Sequence, residues 1–303
     1  MNELKVHPAL FAWYVNDEQF SFYHKDIRNM TLTIHELDPN HPSYSVIMPF
    51  GEIPTLLNTT DLFGVDNYPI GGGEIREITD LNGKESEEPL GKPYIPMMQI
   101  FDWHISNGTK SGNLTPPTVQ EMRNMCWQAL ALGARGFSFY SLFEINLLDN
   151  ITPIKDRWKD IVEITDQLWE YKDIILSIDK VNKIKYVQNN NVTFRQWKYN
   201  NSNYIAVNNL ERRKEIFKID LLDKYEISKQ FGLGTFEKNG TEIIFNLEPI
   251  DVIMIKNSKS SSSSKTNYLL IIFIILIIIM IFIALAIFFA KRYFVKNEKR
   301  KHS

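Results

Sequence analysis

Residues 268–290 (YLLIIFIILIIIMIFIALAIFFA) run for 23 positions without a charged or strongly polar side chain. At about 1.5 Å per residue a helix of this length crosses a hydrocarbon core of roughly 30 Å. A soluble helix that is apolar on every face has nothing to bury itself against, so the run predicts one transmembrane helix. Its flanks agree. Residues 258–267 form a polar, Ser-rich stalk. Lys291 and Arg292 then open a basic tail, residues 291–303. The positive-inside rule puts that tail in the cytoplasm and the preceding body in the lumen or outside the cell, a single-pass type I arrangement in the plasma membrane or secretory pathway. Lys299 and Lys301 near the end also resemble a dibasic retrieval signal of the endoplasmic reticulum, beside the plainer reading of a stop-transfer cluster on anionic lipid.

The charge balance divides at the same place. The whole chain has 34 Lys and Arg against 36 Asp and Glu. Beyond Asn257 eight basic residues face the single acid Glu298, which leaves the first 257 residues with 26 basic and 35 acidic side chains, a net charge of about −9. Such a body repels phosphate, so nucleic acid is not an expected partner. The one cysteine, Cys126, sits in MRNMCWQAL and reads as a buried helix position. Asn29, Asn58, Asn107, Asn113, Asn150, Asn191, Asn200 and Asn239 each begin an N-x-S/T triplet, as a glycoprotein body outside the cytosol would carry. The first eight residues, MNELKVHP, have no apolar stretch of the kind a signal peptide needs. The chain therefore reads as the C-terminal part of a longer polypeptide; a tail-anchored protein with a cytosolic body is the alternative.

The first 180 residues alternate between strand-like and helix-like segments. Strands are predicted at 9–16 (ALFAWYVN), 43–48 (SYSVIM), 61–66 (DLFGVD), 94–101 (YIPMMQIF) and 136–140 (GFSFY). Helices are predicted at 20–37, at 117–132 with Thr115 or Thr118 as N-cap and Gly133 as C-cap, and at 154–175. Near-continuous apolar strands separated by helices mean a parallel α/β architecture. From 181 to 257 the pattern changes to short alternating runs (VTFRQWKY, NYIAVNN, KEIFKID, YEISKQF, TEIIFNL, DVIMIK) between Asn, Gly and Asp turns, which predicts a small antiparallel β-sandwich domain.

Several segments together resemble the clan-A-like (β/α)8-barrel glycoside hydrolases, the β-galactosidase-like group. Residues 7–18 (HPALFAWYVNDE) resemble their fourth-strand motif, and 37–42 (LDPNHP) the segment before the fifth strand. Residues 61–69 (DLFGVDNYP) resemble the sixth strand, 98–101 (MQIF) a seventh-strand variant, and 117–140 the last helix-strand unit. The resemblance covers about residues 6–178 and implies strands four to eight of a TIM barrel, with the sandwich as a common companion. Eight strands close such a barrel. The implied fold is thus a partial TIM barrel over 1–180, followed by the sandwich and the membrane helix, with the N-terminal half of the barrel supplied from elsewhere.

Active sites of this fold sit at the C-terminal ends of the strands, and sugar hydrolysis uses paired carboxyls with aromatic and amide contacts. The resemblance makes Glu18 the general acid/base, with Trp13 and Tyr14 as apolar neighbours able to raise a carboxyl pKa; a helix N-terminal acid is the plainer reading. Asp66 is the second catalytic candidate, and a Glu18–Asp66 pair on non-neighbouring strands suits the wide spacing of inverting enzymes, roughly 6.5–9.5 Å. Retaining relatives carry a glutamate at the end of strand seven; here the matching residue is Gln99, which cannot form a glycosyl ester. Asn16, Tyr14, Tyr68, Gln99, Trp103 and Tyr140 are expected substrate contacts, and Glu144 is placed beyond the rim. No G-x-G-x-x-G, P-loop or H-E-x-x-H occurs, and the six His are scattered, so no cofactor or metal is implied. The expected function is that of a membrane-anchored glycoside hydrolase-like protein acting on O-glycosidic bonds, with carbohydrate and the lipid bilayer as partners. The alternative is a surface carbohydrate-binding or adhesion protein that has lost the nucleophile.

Overall fold

Parallel pairing organises the first half of the chain. In the computed structural model, residues 1, 3–48, 52–80, 91–103, 116–147, 153–181, 183–223, 225–259 and 273–278 are described. The five expected strands all form, each shorter than the apolar run that announced it: β1 (Trp13–Asp17), β2 (Ser43–Val46), β3 (Leu62–Gly64), β4 (Met97–Gln99) and β5 (Ser138–Tyr140). β1, β2 and β3 pair in parallel, as do β4 and β5. Single parallel bridges, Phe63 to Tyr94 and Asp66 to Met97, join the two groups across β3 and β4. Between the strands lie α1 (His24–Leu37), the short α2 (Ile53–Leu56) and α3 (Glu77–Asp80), and α4 (Val119–Ala131). After β5 come α5 (Leu142–Leu147), α6 (Ile154–Glu170) and α7 (Lys172–Ile175).

Local chemistry explains several of these boundaries. Thr118 caps α4: its hydroxyl accepts from the Glu121 N–H, while the Glu121 side chain reaches back to the Thr118 N–H, a full capping box. Gly133, at φ 105°, takes the left-handed turn that follows the helix. The LDPNHP segment has a structural task. Asp38 is buried, and its Oδ2 accepts from Trp13 Nε1 at 2.9 Å and meets His41 Nδ1 at 2.7 Å, which ties the turn before β2 to β1.

Residues 185–259 form two antiparallel sheets. One has the order β10 (Tyr225–Phe231), β13 (Val252–Lys259), β8 (Ser202–Asn209), β7 (Val192–Tyr199). The other has the order β11 (Thr235–Asn239), β12 (Glu242–Leu247), β9 (Glu215–Asp220), β6 (Lys185–Tyr186). This is the expected sandwich, but it does not stand apart. Residues Met1–Ser258 make one compact unit. Ile205, Val207, Ile253 and Ile255 point into the sandwich, against Phe217, Ile243 and Phe245. Their neighbours Tyr204, Ala206, Val252 and Met254 point the other way and share a core with Met122, Met125, Trp127 and Ile164 of the helical layer. The division expected near residue 180 thus falls inside one shared core.

The second unit, Lys259–Ser303, is described only at Lys259 and at residues 273–278, which are helical with exposed side chains. Among the described residues no helix is long and apolar enough to cross a membrane. Most of the apolar run at 268–290, most of the stalk and the whole of the basic tail lie outside the described residues, as do the sequons Asn107, Asn113 and Asn150. Of the other sequon asparagines, Asn29, Asn58, Asn200 and Asn239 are exposed and Asn191 is half-buried.

Candidate active site

The C-terminal ends of β1 and β3 bring two carboxyls together. Glu18 follows β1 directly, with its N–H donating to Val46 O at 3.0 Å. Its backbone turns into the left-handed region, φ 51°, an uncommon conformation for a residue with a side chain and one that concentrates at functional sites. Asp66 lies just beyond β3, held by its parallel bridge to Met97, and is 3% exposed. Burial first, and then the Glu18 side chain and its charge, push Asp66 up to about 8. Asp66 therefore holds its proton at neutral pH.

This geometry corrects one expectation. Glu18 was to be enclosed by Trp13 and Tyr14, yet Glu18 is exposed. Trp13 turns instead to Asp38, and the Tyr14 hydroxyl donates to Asp17 Oδ1 at 2.7 Å. Burial acts on Asp66, and the proton is held there.

Aromatic rings gather beside the pair. Tyr68, at the end of the β3 segment, stacks on Tyr140 of β5 with ring centroids 5.7 Å apart, and meets Phe101 and Trp103 edge-on. Trp103 Nε1 donates to Tyr68 O at 3.1 Å, which fixes both. Tyr140 is 40% exposed, and Tyr14 also stands half out in solvent, packed on Tyr44. The phenols of Tyr14 and Tyr68 are raised, in both cases first by burial; the hydrogen bond to Asp17 adds for Tyr14, and the Asp66 and Glu18 charges add for Tyr68. The Tyr14 hydroxyl is committed to Asp17.

Two expected contacts are internal instead. Gln99 is fully buried. Its Oε1 accepts from Ile70 N–H, and its Nε2 donates to Ile70 O and Phe101 O, so its amide is spent on holding the loop after Tyr68. Asn16 is likewise buried, donating to Val46 O and accepting from Gln19 N–H. Both are positioning residues, because their polar capacity is used within the fold. Conversely, Glu144 does not lie beyond the rim. It is 7% exposed and raised by burial, and its charge in turn acts on the Tyr140 hydroxyl.

Glu144 Oε2, Asp66 Oδ1 and Asn67 Nδ2 are buried without a hydrogen-bond partner among the described residues. Orphaned polar atoms of this kind are rare in a finished fold and collect where a ligand or water completes them. Asn67 and Glu144 are the additions to the site. The D-N-Y-P segment put Asn67 beside Asp66, but only packing shows that it is buried and unmet.

No family model matches this chain, nor does any curated protein. Solved structures do. A GH27 β-L-arabinopyranosidase from Geobacillus stearothermophilus is 13% identical with a TM-score of 0.55, over 82% of this chain and 58% of that one. A putative α-galactosidase/melibiase from Bacteroides fragilis is 10% identical with a TM-score of 0.52, over 81% and 54%. A GH51 arabinofuranosidase from Xanthomonas axonopodis pv. citri is 10% identical with a TM-score of 0.50, over 82% and 66%. This chain therefore spans little more than half to about two thirds of these proteins. The likeness is one of fold: a barrel architecture of parallel strands and helices. Coverage above four fifths of the chain exceeds what the β/α units supply alone, so the sandwich takes part in it.

Proposed function

We propose that this chain carries a glycoside-hydrolase-like site in which Glu18 and Asp66 act as one acid/base unit on an O-glycosidic bond. The observation that carries the reading is the buried, protonated Asp66 at the strand ends, with the exposed Glu18 and the rings of Tyr68, Tyr140 and Trp103 around it. Asp66 keeps its proton to about pH 8, and Glu18 stands exposed beside it. As the C1–O bond breaks, the proton passes from this site to the leaving oxygen and leaves a carboxylate behind. Water adds to the sugar cation and returns a proton to the pair. The tyrosine rings offer apolar faces to the C–H side of the sugar. In this proposal the body is anchored by the apolar run at 268–290 and lies outside the cytosol, and further β/α units complete the barrel beside β1 and β5.

The test is turnover of a panel of nitrophenyl glycosides by the full chain, with and without its upstream units, against Glu18→Gln and Asp66→Asn. Loss of about 10²-fold or more in kcat/KM for both variants is expected; full activity in either overturns the assignment. Treatment of the native protein with an N-glycan-removing enzyme tests location, because a body outside the cytosol shifts in mobility and a cytosolic one does not.

A second reading rests on Gln99. The strand end where the resemblance puts a nucleophile holds an amide that is locked to Ile70 and Phe101. A site without that carboxylate binds sugar without covalent turnover. Glycan binding with no hydrolysis in the panel above selects this reading.

A further inference from the structure

We infer a second saccharide-binding site, for a neutral mono- or oligosaccharide, in the groove where the sandwich meets α3. It rests on the carbohydrate reading above but uses none of the carboxyl-pair residues. The groove encloses about 630 Å³ between Arg76, Thr79 and Asp80 on one side and Tyr186, Gln188 and Asn190 on the other. It continues along Val187, Ile216 and Lys218 into a second hollow of about 660 Å³ that shares Gln188, Asn190 and Phe217. Each hollow is in the size range of small-ligand sites.

Charge and hydrogen bonding decide the ligand class. Arg76 is the cation in the first hollow, and it is spent. Its Nε donates to Asp80 Oδ2 at 2.8 Å, its Nη1 to Glu211 Oε1 at 2.9 Å, and its Nη2 to Asn190 O at 3.1 Å. The floor is thus rigid, and its one positive charge is met by two carboxylates, which disfavours an anionic ligand. What remains in this first hollow is amide and hydroxyl. Gln188 Nε2 reaches Asn190 Oδ1 at 3.4 Å. Among the described residues Gln188 Oε1, Asn190 Nδ2 and the Thr193 hydroxyl are left without partners, one acceptor, one donor and one group that does both. This mixed, uncharged set matches a row of sugar hydroxyls.

The apolar wall is as specific. Tyr186 is 55% exposed at the end of the two-residue strand β6. Its ring is held edge-on by Phe194 at 4.8 Å and backed by Phe217 at 6.4 Å. A large ring left half in water, with its orientation fixed in advance, costs little entropy to use as a platform for the C–H face of a pyranose.

Saturation-transfer NMR on the full chain in a sugar-free detergent tests this, with cellobiose, lactose and xylobiose as probes and glucuronic acid and a neutral tripeptide as controls. Transfer to at least one disaccharide is expected, with apparent Kd raised tenfold or more by Tyr186→Ala and by Gln188→Leu, and changed less than twofold by Asp66→Asn. Both groove residues are exposed, so the folded state of each variant is checked by its circular dichroism, and either one suffices. Absence of transfer to all three disaccharides overturns the inference. So does transfer that survives both groove variants, or that is lost with Asp66→Asn, which would seat the sugar at the carboxyl pair. Hydrolysis is read separately on nitrophenyl glycosides, so a catalytically silent chain that binds through Tyr186 refutes the proposed activity and leaves the groove standing.

Discussion

The sandwich and the parallel sheet bury their strands differently. β8 is buried at all eight of its positions, because one face meets the opposite sheet and the other meets α4. The parallel sheet has a helical layer on its outer face. Its inner face carries only a small layer of Tyr44, Val46 and Ile95, with Ala12, Leu62 and Met97 against them. Above that layer stand the carboxyl pair and the tyrosines. One region spends its surface on packing, and the other keeps a face for chemistry. The difference teaches where tolerance to change lies: widely in the inner rim, scarcely at all around β8.

The largest effect should come from the residue both regions share. Trp127 is 1% exposed and packs against Tyr171, Trp197 and Phe231. Trp127→Ala is expected to cost about 3–5 kcal/mol, read as one shifted transition in chemical denaturation. A second transition left at the wild-type midpoint would break the comparison by showing two separate cores. Gly64 sharpens it next. A Cβ there would lie 2.2 Å from Ile95 O and 2.4 Å from the Tyr44 hydroxyl, which itself donates to Ile95 O. Backbone cannot yield easily, so Gly64→Ala should cost about 3 kcal/mol, with amide exchange accelerated in β3 and β4 and little altered in the sandwich.

Asp66 comes third. Its folded-state pKa of about 8 lies above the usual 3.8, so the fold favours the neutral form. The stabilisation is complete below about pH 4 and is lost as pH rises to about 8. Asp66→Asn removes that loss. With the share of Glu18 and solvent screening discounted, about 2 kcal/mol remains, so the variant should melt about 4–8 °C above wild type at pH 9. The gap should close as the pH falls to 4. The smallest effect is at the α4 cap, where Thr118→Ala should lower stability by about 1 kcal/mol in the same melts.

The strand sequence β1 to β5 was legible, and the α4 cap was narrowed to Thr115 or Thr118, because period and capping are local signals: a Thr stands just before the helical run, and GFSFY is short and mostly apolar. The sandwich was legible too, from its alternating runs. Its merger with the helical layer was not. NYIAVNN and DVIMIK are apolar on both faces, and continuous burial looks the same whether the second face meets another sheet or a helix from 80 residues earlier. At the site, the resemblance and residue types put Glu18, Asp66, Tyr68, Trp103 and Tyr140 at or just beyond strand ends, and that is where they lie in the fold. Which carboxyl holds the proton, and that Gln99 and Asn16 turn inward, depend on burial and hydrogen bonds that no spacing encodes.

The shared core also sets an order of events during synthesis. The inner face of α4 is finished by Val252 and Met254, more than 120 residues downstream. Until β13 has left the ribosome, Met122, Met125 and Trp127 have no lasting cover, and the growing chain carries them in the open. A chain stopped before residue 252 would therefore be a substrate for chaperones and proteases, however complete its β/α units.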